Sequence, residues 1–369
     1  MITAPPSPGE VRIIPVPGIG EIRSGDDLAE VIGVALLAGE AGVCEGDILC
    51  VTSKILSKAH GLRAAGTDRR AVVADQSVRV IAERSTRTGP TRIVEGRHGV
   101  VMAAAGVDSS NTGAHEAMLL LPDDPDRAAA DLLRDLTAYL RSRVGRTIDI
   151  GLVLTDTAGR PWRSGQIDFA LGAAGVHVLH DYRGGVDADG RPLEVTVIAV
   201  ADELAAAADL VKGKVSRRPV AIIRGLAHLV APTGLASAPA GARQLLRTGR
   251  GDFFAMGHLE ATRAALGAPP GSPTAARVGI PGVTLEPVAE RLQRALRLAL
   301  DADPHRGPAV HSSVRAISQA PQQLVVTLAG ADDFALGRAF ARLEVALWSE
   351  SLVAHWVEGG ERGLLISAG

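Results

Sequence analysis

A mixed α+β fold followed by a smaller α+β module is what this sequence predicts, on three observations. Short β-branched runs alternate with helix-periodic runs from Val11 to about Gly225. The chain has 369 residues, more than one hydrophobic core usually organises, so roughly two domains are expected. Hydrophobic residues make up 46% but aromatics only 3%, so the core has to be built from Ala, Val, Leu and Ile.

Along the chain, strands are expected at 48–52, 99–103, 148–154, 194–200 and 220–223, each an apolar or β-branched run bounded by turn residues. Helices are expected at 27–39, where Asp27 stands in N-cap position before an apolar-periodic run, and at 69–84, 126–144 and 201–212. Two stretches rich in Ala, Gly, Pro and Ser follow, 235–241 and 267–275, and the second reads as a linker. The expected organisation is therefore a larger domain over 1–255, a linker over 256–275 and a small α+β domain over 276–369. In that last domain 285–300 and 334–353 read as helices, and 323–328 and 363–367 as strands. No repeat of fixed period is present.

Charge and cysteine usage narrow the function classes. The net charge is −2, which argues against a general nucleic-acid binder, because such domains usually carry a basic excess. Cys44 and Cys50 match neither a paired zinc spacing nor C-x-x-C, and read as ordinary buried thiols of a reducing compartment. The start Met1-Ile2-Thr3-Ala4-Pro5-Pro6 has neither a basic nor an apolar leader region, and no uninterrupted apolar run approaches membrane-spanning length. A cytoplasmic chain without a membrane partner is expected.

No P-loop is present, since Lys212-Gly213-Lys214-Val215-Ser216 only grazes the pattern. Gly18-Ile19-Gly20 fails as a dinucleotide fingerprint because Arg23 stands at the third glycine. Other segments carry more. Pro17-Gly18-Ile19-Gly20-Glu21 is either a plain turn or a nest of backbone N–H groups for an anion. Ser53, Lys54 and Lys58 follow a strand, at the edge where α/β sheets hold ligands, and Lys58 is either a phosphate partner or a solvated lysine. Asp108-Ser109-Ser110-Asn111 and Asp156-Thr157 each follow an apolar run. Their acids suit either one hard divalent cation or helix caps and turns. Arg160-Pro161-Trp162-Arg163 sets a flat ring between two guanidiniums, for an oxyanion or as a surface stack. Glu203 opens a helix, where it complements the dipole or adds an oxygen ligand.

Six ordered segments resemble the F420-0:γ-glutamyl ligase family, including the N-terminal half of its two-domain actinobacterial members: VPGIGEIRSGDDL, GDILCVTSKILSKAHG, AAAGVDSSN, LVLTDTAGRPWRSGQIDFALGAAGV, VADELAAAADLVKGK and RQLLRTGRGDFF. They span about 11–254. The resemblance implies that family's fold, a GTP-dependent ligase joining L-glutamate to coenzyme F420-0, and a homodimer. It implies metal contacts (Mg2+ or Mn2+) at Asp108, Asp156 and Thr157, with Glu203 carried less firmly. GTP contacts are implied at Pro17, Gly18, Ile19, Gly20, Ser53, Lys58 and Asn111, and in the later segment at Lys212, Gly213 and Lys214. A monovalent K+ is a further implied cofactor. Lys58 and Arg163 would act catalytically, steadying the transferred phosphoryl group of an acyl phosphate that the glutamate amine then attacks. Two departures stand out. His60 occupies a position where glutamate is expected, and the tail after residue 270 is too short for the flavin-binding half of the long members. A paralogous amide ligase and a non-catalytic coenzyme-binding scaffold are the rival readings.

Overall fold

The computed structural model describes residues 9–64, 68–86, 89–109, 118–214, 216–232, 240–248, 251–280, 286–303, 310–317, 320–330, 332–357 and 363–368. They form a mixed α+β protein of two compact units, one of 1–76 with 96–251 and one of 77–95 with 252–369.

The first unit runs β1 (Arg12–Pro15), α1 (Leu28–Ala38), β2 (Ile48–Thr52), α2 (Ser53–Ala59), β3 (Arg63–Ala64) and α3 (Arg69–Asp75). Strands β4 (Ser77–Thr86) and β5 (Gly89–Gly96) lead away from it, and β6 (Val101–Ala103) and β7 (Met118–Leu119) resume it. It closes with α4 (Pro125–Val144), β8 (Gly151–Arg160), β9 (Arg163–Ala174), β10 (His180–Asp181), β11 (Val197–Ile198), α5 (Val200–Lys212) and β12 (Val220–Arg224). Its main sheet has the order β1-β12-β2-β8-β9, with β2 and β8 parallel and the other pairs antiparallel.

Alternation along these strands builds two apolar layers. Leu49, Val51, Leu152, Leu154 and Ile222 face α1, α2 and α4, whereas Ile48, Cys50, Val153, Ala221 and Ile223 face α5. Strands buried on both faces read as continuous apolar runs, which is why β2 and β12 were legible. The small Ala201, Ala205 and Ala208 bring α5 close to the sheet. Helices α1 and α4 carry their own start signals. Asp27 accepts from the Glu30 N–H at 3.0 Å, and Asp124 accepts from the Arg127 N–H at 3.1 Å ahead of Pro125 at N1.

One buried ion pair ties β12 to the turn before β2. Arg224 donates through Nε and Nη2 to the two oxygens of Asp47, both at 2.8 Å, and to the carbonyls of Ala41 and Gly42. Asp47 also accepts from the Cys44 N–H at 2.7 Å. Cys44 and Cys50 are buried cysteines outside any disulfide, and burial pushes the Cys50 thiol up to about 12.

The second unit holds α6 (His258–Ala265), α7 (Pro273–Val278), α8 (Val288–Leu300), β13 (Val310–Ile317), β14 (Ala320–Gly330), α9 (Asp333–Ser349), β15 (Leu352–Trp356) and β16 (Gly363–Ala368). Its antiparallel sheet β13-β14-β16-β15 packs Val326, Leu328, Leu364 and Ile366 against Leu292, Leu296, Leu343 and Leu347 of α8 and α9. Glu350, buried just past α9, accepts from Arg263 at 2.9 Å and from Arg294 at 2.8 Å. Strands β4 and β5 belong to this unit. Gly257 donates to the Ile81 carbonyl at 2.8 Å, and the Glu83 N–H donates to Glu260 at 2.8 Å.

Several expectations need correction. The 69–84 helix stops at Asp75, because Val78, Val80 and Ile81 favour the strand that follows. The 256–275 linker contains α6 and the start of α7 and buries Leu266, Ala268 and Ala275. Its Ser272-Pro273 is the cap and first residue of α7 rather than a flexible tether. The 1–255 domain is interrupted, since 77–95 goes with the second unit. The 194–200 strand shrinks to Val197–Ile198, with Val200 already opening α5. The 334–353 helix ends at Ser349, and Ser351 at φ 55 turns the chain into β15.

Candidate functional site

A cavity of about 1030 Å3 opens in the first unit where β2, β8 and β12 meet their connections. Thr52 at the end of β2 donates to the Pro219 carbonyl just before β12 at 2.9 Å, and Val16 after β1 donates to Val220 at 2.9 Å. The glycine turn after β1, the start of α2 and the approach to β12 are therefore gathered at one sheet edge. Such an edge, outside the carboxyl end of parallel strands, is where α/β sheets place ligands.

The glycine turn behaves as its sequence demands. Gly18 has φ 85, buried Ile19 anchors the turn, and Gly20 lines the cavity, while Pro17 and Gly18 stay exposed outside its lining. Across from it, Ala104, Ala105 and Gly106 take positive φ in succession (53, 52 and 70). The two alanines cost on the order of 1–2 kcal/mol each, strain that the turn leading to Asp108 imposes on the cavity wall.

Asp156 lies inside β8, just past a register shift between Leu154 and Thr155. A bulge of this kind re-aims side chains. Its carboxyl is pushed up to about 7, first by burial and then by the charges of Asp168 and Asp108. The Thr157 N–H and the Ser53 hydroxyl, 3.3 Å away, pull in the opposite direction. Asp108 also lines the cavity and pairs with Lys54 at 2.7 Å.

Next to Asp156 on β8, Thr157 is paired by register with Asp168 on β9. Thr157 donates to one Asp168 oxygen at 2.7 Å, and Thr155 donates to the other at 2.9 Å. Lys212, at the end of α5, donates to that second oxygen at 2.7 Å and to the Thr155 hydroxyl at 2.6 Å. Asp168 and Lys212 are both buried. Lys58 is buried too and pairs with Glu21.

Of the residues singled out from sequence, Ile19, Gly20, Lys58, Asp108, Asp156, Thr157, Lys212, Gly213 and Lys214 line this cavity, and Ser53 touches it through Asp156. Asn111 falls outside the described residues. Glu203 is exposed in the first turn of α5, about 13 Å along the helix axis from Lys212, and is not part of the lining. Arg163 opens β9 at the exposed hairpin tip beside Trp162, also away from the lining. His60 is exposed at the C-cap of α2. Sequence reading assigned no role to Asp168, Asp209, Arg69, Arg217 or Arg218, all of which line the cavity. Asp168 was detectable only through the strand pairing that sets it opposite Thr157.

The fold and this lining, in which carboxylates are interleaved with lysines and arginines, define an α+β protein with a charged cavity at one edge of its main sheet. The sequence model of the family described as F420-0:Gamma-glutamyl ligase matches residues 18–225. The coenzyme F420:L-glutamate ligase of Methanopyrus kandleri is 41% identical over 235 residues, 58% of this chain and 87% of that protein. That of Halobacterium salinarum is 39% identical over 230 residues, 57% and 85% of the two chains. That of Methanothermobacter thermautotrophicus is 37% identical over 265 residues, 66% and 98%. The chain belongs to the F420-0:gamma-glutamyl ligase family.

Proposed function

We propose that this protein is a coenzyme F420-0:L-glutamate ligase that uses GTP to activate the acceptor carboxylate as an acyl phosphate and releases GDP and phosphate. The observation carrying this reading is the single cavity that joins a glycine turn, two buried lysines and the carboxylates Asp108 and Asp156 within the stretch matched by the family. An amide cannot form from a carboxylate at useful rates without activation, and a cavity with both anion-gripping and cation-holding walls suits that step.

The residues present fit a Mg2+ or Mn2+ ion. Asp156 is a carboxylate whose proton is retained by burial and by neighbouring negative charge, a condition that a divalent cation reverses. Among the described residues no three His, Cys, Asp or Glu side chains group as a metal cage. One or two carboxylates suffice for Mg2+, which keeps waters and bridges substrate phosphates. Asp108, Asp156 and the Thr157 oxygen would hold the ion, which when bound offsets phosphate charge. A monovalent K+ in the same cavity is part of the proposal.

Lys58 and Lys212 steady phosphate oxygens, and the Pro17–Gly20 turn together with Ser53, Gly213 and Lys214 embraces the nucleotide. Burial of both ammonium groups keeps them in place without water's competition. The second unit is proposed to play a structural part. A homodimer is proposed as the working state, supported by Tyr182, Val186, Val195 and Val197, exposed apolar groups around β10 and β11. Among the described residues no helix is long and apolar enough to cross a membrane, and a cytoplasmic site of action is proposed.

Incubation with F420-0, L-glutamate, GTP and Mn2+ or Mg2+, followed by mass spectrometry, tests the reading. A GTP-dependent gain of one or more glutamyl masses is expected. Absence of product from a folded chain that binds GTP would shift the assignment to another acceptor, and absence of GTP binding as well would remove the ligase reading.

A further inference from the structure

Helix α9 buries Leu336, Ala339, Phe340, Leu343, Ala346 and Leu347 in the core of the second unit. Its opposite face is apolar as well. Phe334 is 78% exposed, Trp348 55% and Val345 43%, and Gly337 and Ala341 lie exposed between them. These five positions recur every three or four residues and so share one side of the helix, outside the stretch matched by the ligase family. Single exposed apolar side chains are ordinary, but a face that runs the length of a helix marks a contact surface.

Gly337 is a second, independent observation. Inside a helix a glycine costs on the order of 1 kcal/mol relative to alanine. Packing among the described residues does not require it, since a Cβ built there meets no atom within 4 Å, and its φ is not positive. A missing Cβ on an exposed helix face lets another chain approach closely.

The order of the residues indicates which chain. Counted from Ala341, Phe334 and Trp348 stand seven residues to either side, and Gly337 and Val345 four. The flanking charges are placed in the same way with opposite sign, Arg338 three residues before Ala341 and Glu344 three after. A two-fold axis at Ala341 sets each of these positions against its counterpart in an antiparallel copy of the helix. Phe334 then meets Trp348 of the second copy, Gly337 takes Val345, Ala341 meets itself, and Arg338 faces Glu344. Arg338 pairs with Asp303 through Nε and Nη2, which among the described residues leaves Nη1 for that contact. His258 meets the Trp348 ring edge-on, with centroids 5.8 Å apart, and holds it in place. A face complementary to itself in both size and charge fits another copy of itself.

We propose that α9 is a self-association surface through which two copies of this chain pair as antiparallel helices about a two-fold axis at Ala341. Phe334 and Trp348 together offer roughly 250–300 Å2 of exposed surface per copy, so the contact belongs to the small, weak class of specific interfaces, with a dissociation constant on the order of micromolar. This goes beyond the ligase reading and does not depend on it.

The test is disulfide trapping on the full chain, at a concentration well above micromolar. Only a residue on the axis meets its own copy, so mild oxidation should join Ala341→Cys chains into a covalent dimer. Glu344→Cys, on the same helix but off the axis, should bridge about tenfold more slowly or less, because its copy lies beyond the roughly 7 Å Cα separation that a disulfide spans. Cys44 and Cys50 are buried and take no part. Adding Trp348→Asp to the Ala341→Cys chain should slow bridging by a similar factor while the circular dichroism spectrum stays native, because position 348 is exposed. Bridging of Ala341→Cys no faster than that of Glu344→Cys would overturn the proposal, whether the groups around β10 and β11 alone hold the dimer or the face takes a different protein. A rate unchanged by Trp348→Asp would overturn it too. Neither readout involves ligase turnover, so failure here and failure of the ligase reading are told apart.

Discussion

Asp156 is the residue on which the proposed chemistry turns, and its surroundings make two outcomes measurable. Replacing it by asparagine keeps the shape and removes the proposed cation ligand, so in that reading ligase turnover should fall by about 100-fold or more, with loss of the Mg2+ or Mn2+ dependence. A steady-state metal titration checks this, and an unchanged metal dependence would remove Asp156 from the metal site. The second outcome concerns stability without metal. The folded carboxyl titrates near 7, whereas an unfolded aspartate titrates near 3.8. Between those values the native state binds more protons than the unfolded state, so stability falls as pH rises from about 4 to about 7. The upper bound on this loss is of the order of 4 kcal/mol, and it should flatten in Asp156→Asn. Urea midpoints measured in the presence of a chelator across that range would show it, and a wild-type curve as flat as that of the variant would argue against a protonated Asp156.

At the scale of elements, the Asp47–Arg224 pair and the crossing of α4 over β9 carry the most pointed expectations. Asp47→Ala leaves a buried guanidinium without its counter-charge and should cost about 3–5 kcal/mol in chemical denaturation. Gly172 on β9 lies so close to α4 that an added Cβ would come within 2.3 Å of the Pro125 carbonyl oxygen, an atom that cannot swing aside. Gly172→Ala should therefore destabilise the chain by about 1–3 kcal/mol, read as a lowered urea midpoint. A midpoint equal to wild type would mean that α4 shifts freely. The same elements show what sequence could and could not disclose. Helix α1 was legible to within a residue because Asp27 caps it, and β2 and β12 because their apolar runs are unbroken. Strand β9 was hidden because Gly165, Gly172, Ala170, Ala173 and Ala174 give it poor strand propensity. Its place is fixed by pairing with β8 instead. Asp156, Asp108 and Lys58 stood out in the sequence because they follow strands or apolar runs. Asp168 and Lys212 meet only through register and the length of α5, quantities that no local window contains. Glu203 looked equivalent in sequence, but helix geometry carries it to the far end of α5.

For the whole molecule, the second unit draws on two separate stretches of chain. A chain cut after residue 251 would keep β4 and β5 but lose Glu260, the partner of Arg84 and of the Glu83 N–H, and Gly257, the partner of Ile81. Glu83 is already a buried carboxylate raised by burial and by Glu260, with Arg92 and Arg263 opposing. In the shortened chain, residues 77–95 should become the first site of limited proteolysis, located by mass spectrometry of the fragments. Resistance of that segment would mean that β4 and β5 are held by the first unit alone.

The two-stretch construction also sets a schedule for biosynthesis. Strands β4 and β5 leave the ribosome roughly 150 residues before α6, the element against which β4 packs, is made. At ordinary elongation rates that is on the order of ten seconds or more. During that interval the nascent chain carries β4 and β5 without Gly257 and Glu260, the partners of Ile81 and of the Glu83 N–H. An mRNA that slows translation between codons 96 and 252 would lengthen that interval, and one that speeds it would shorten it. Soluble yield of this protein should therefore respond to codon choice in a region that encodes none of the second unit.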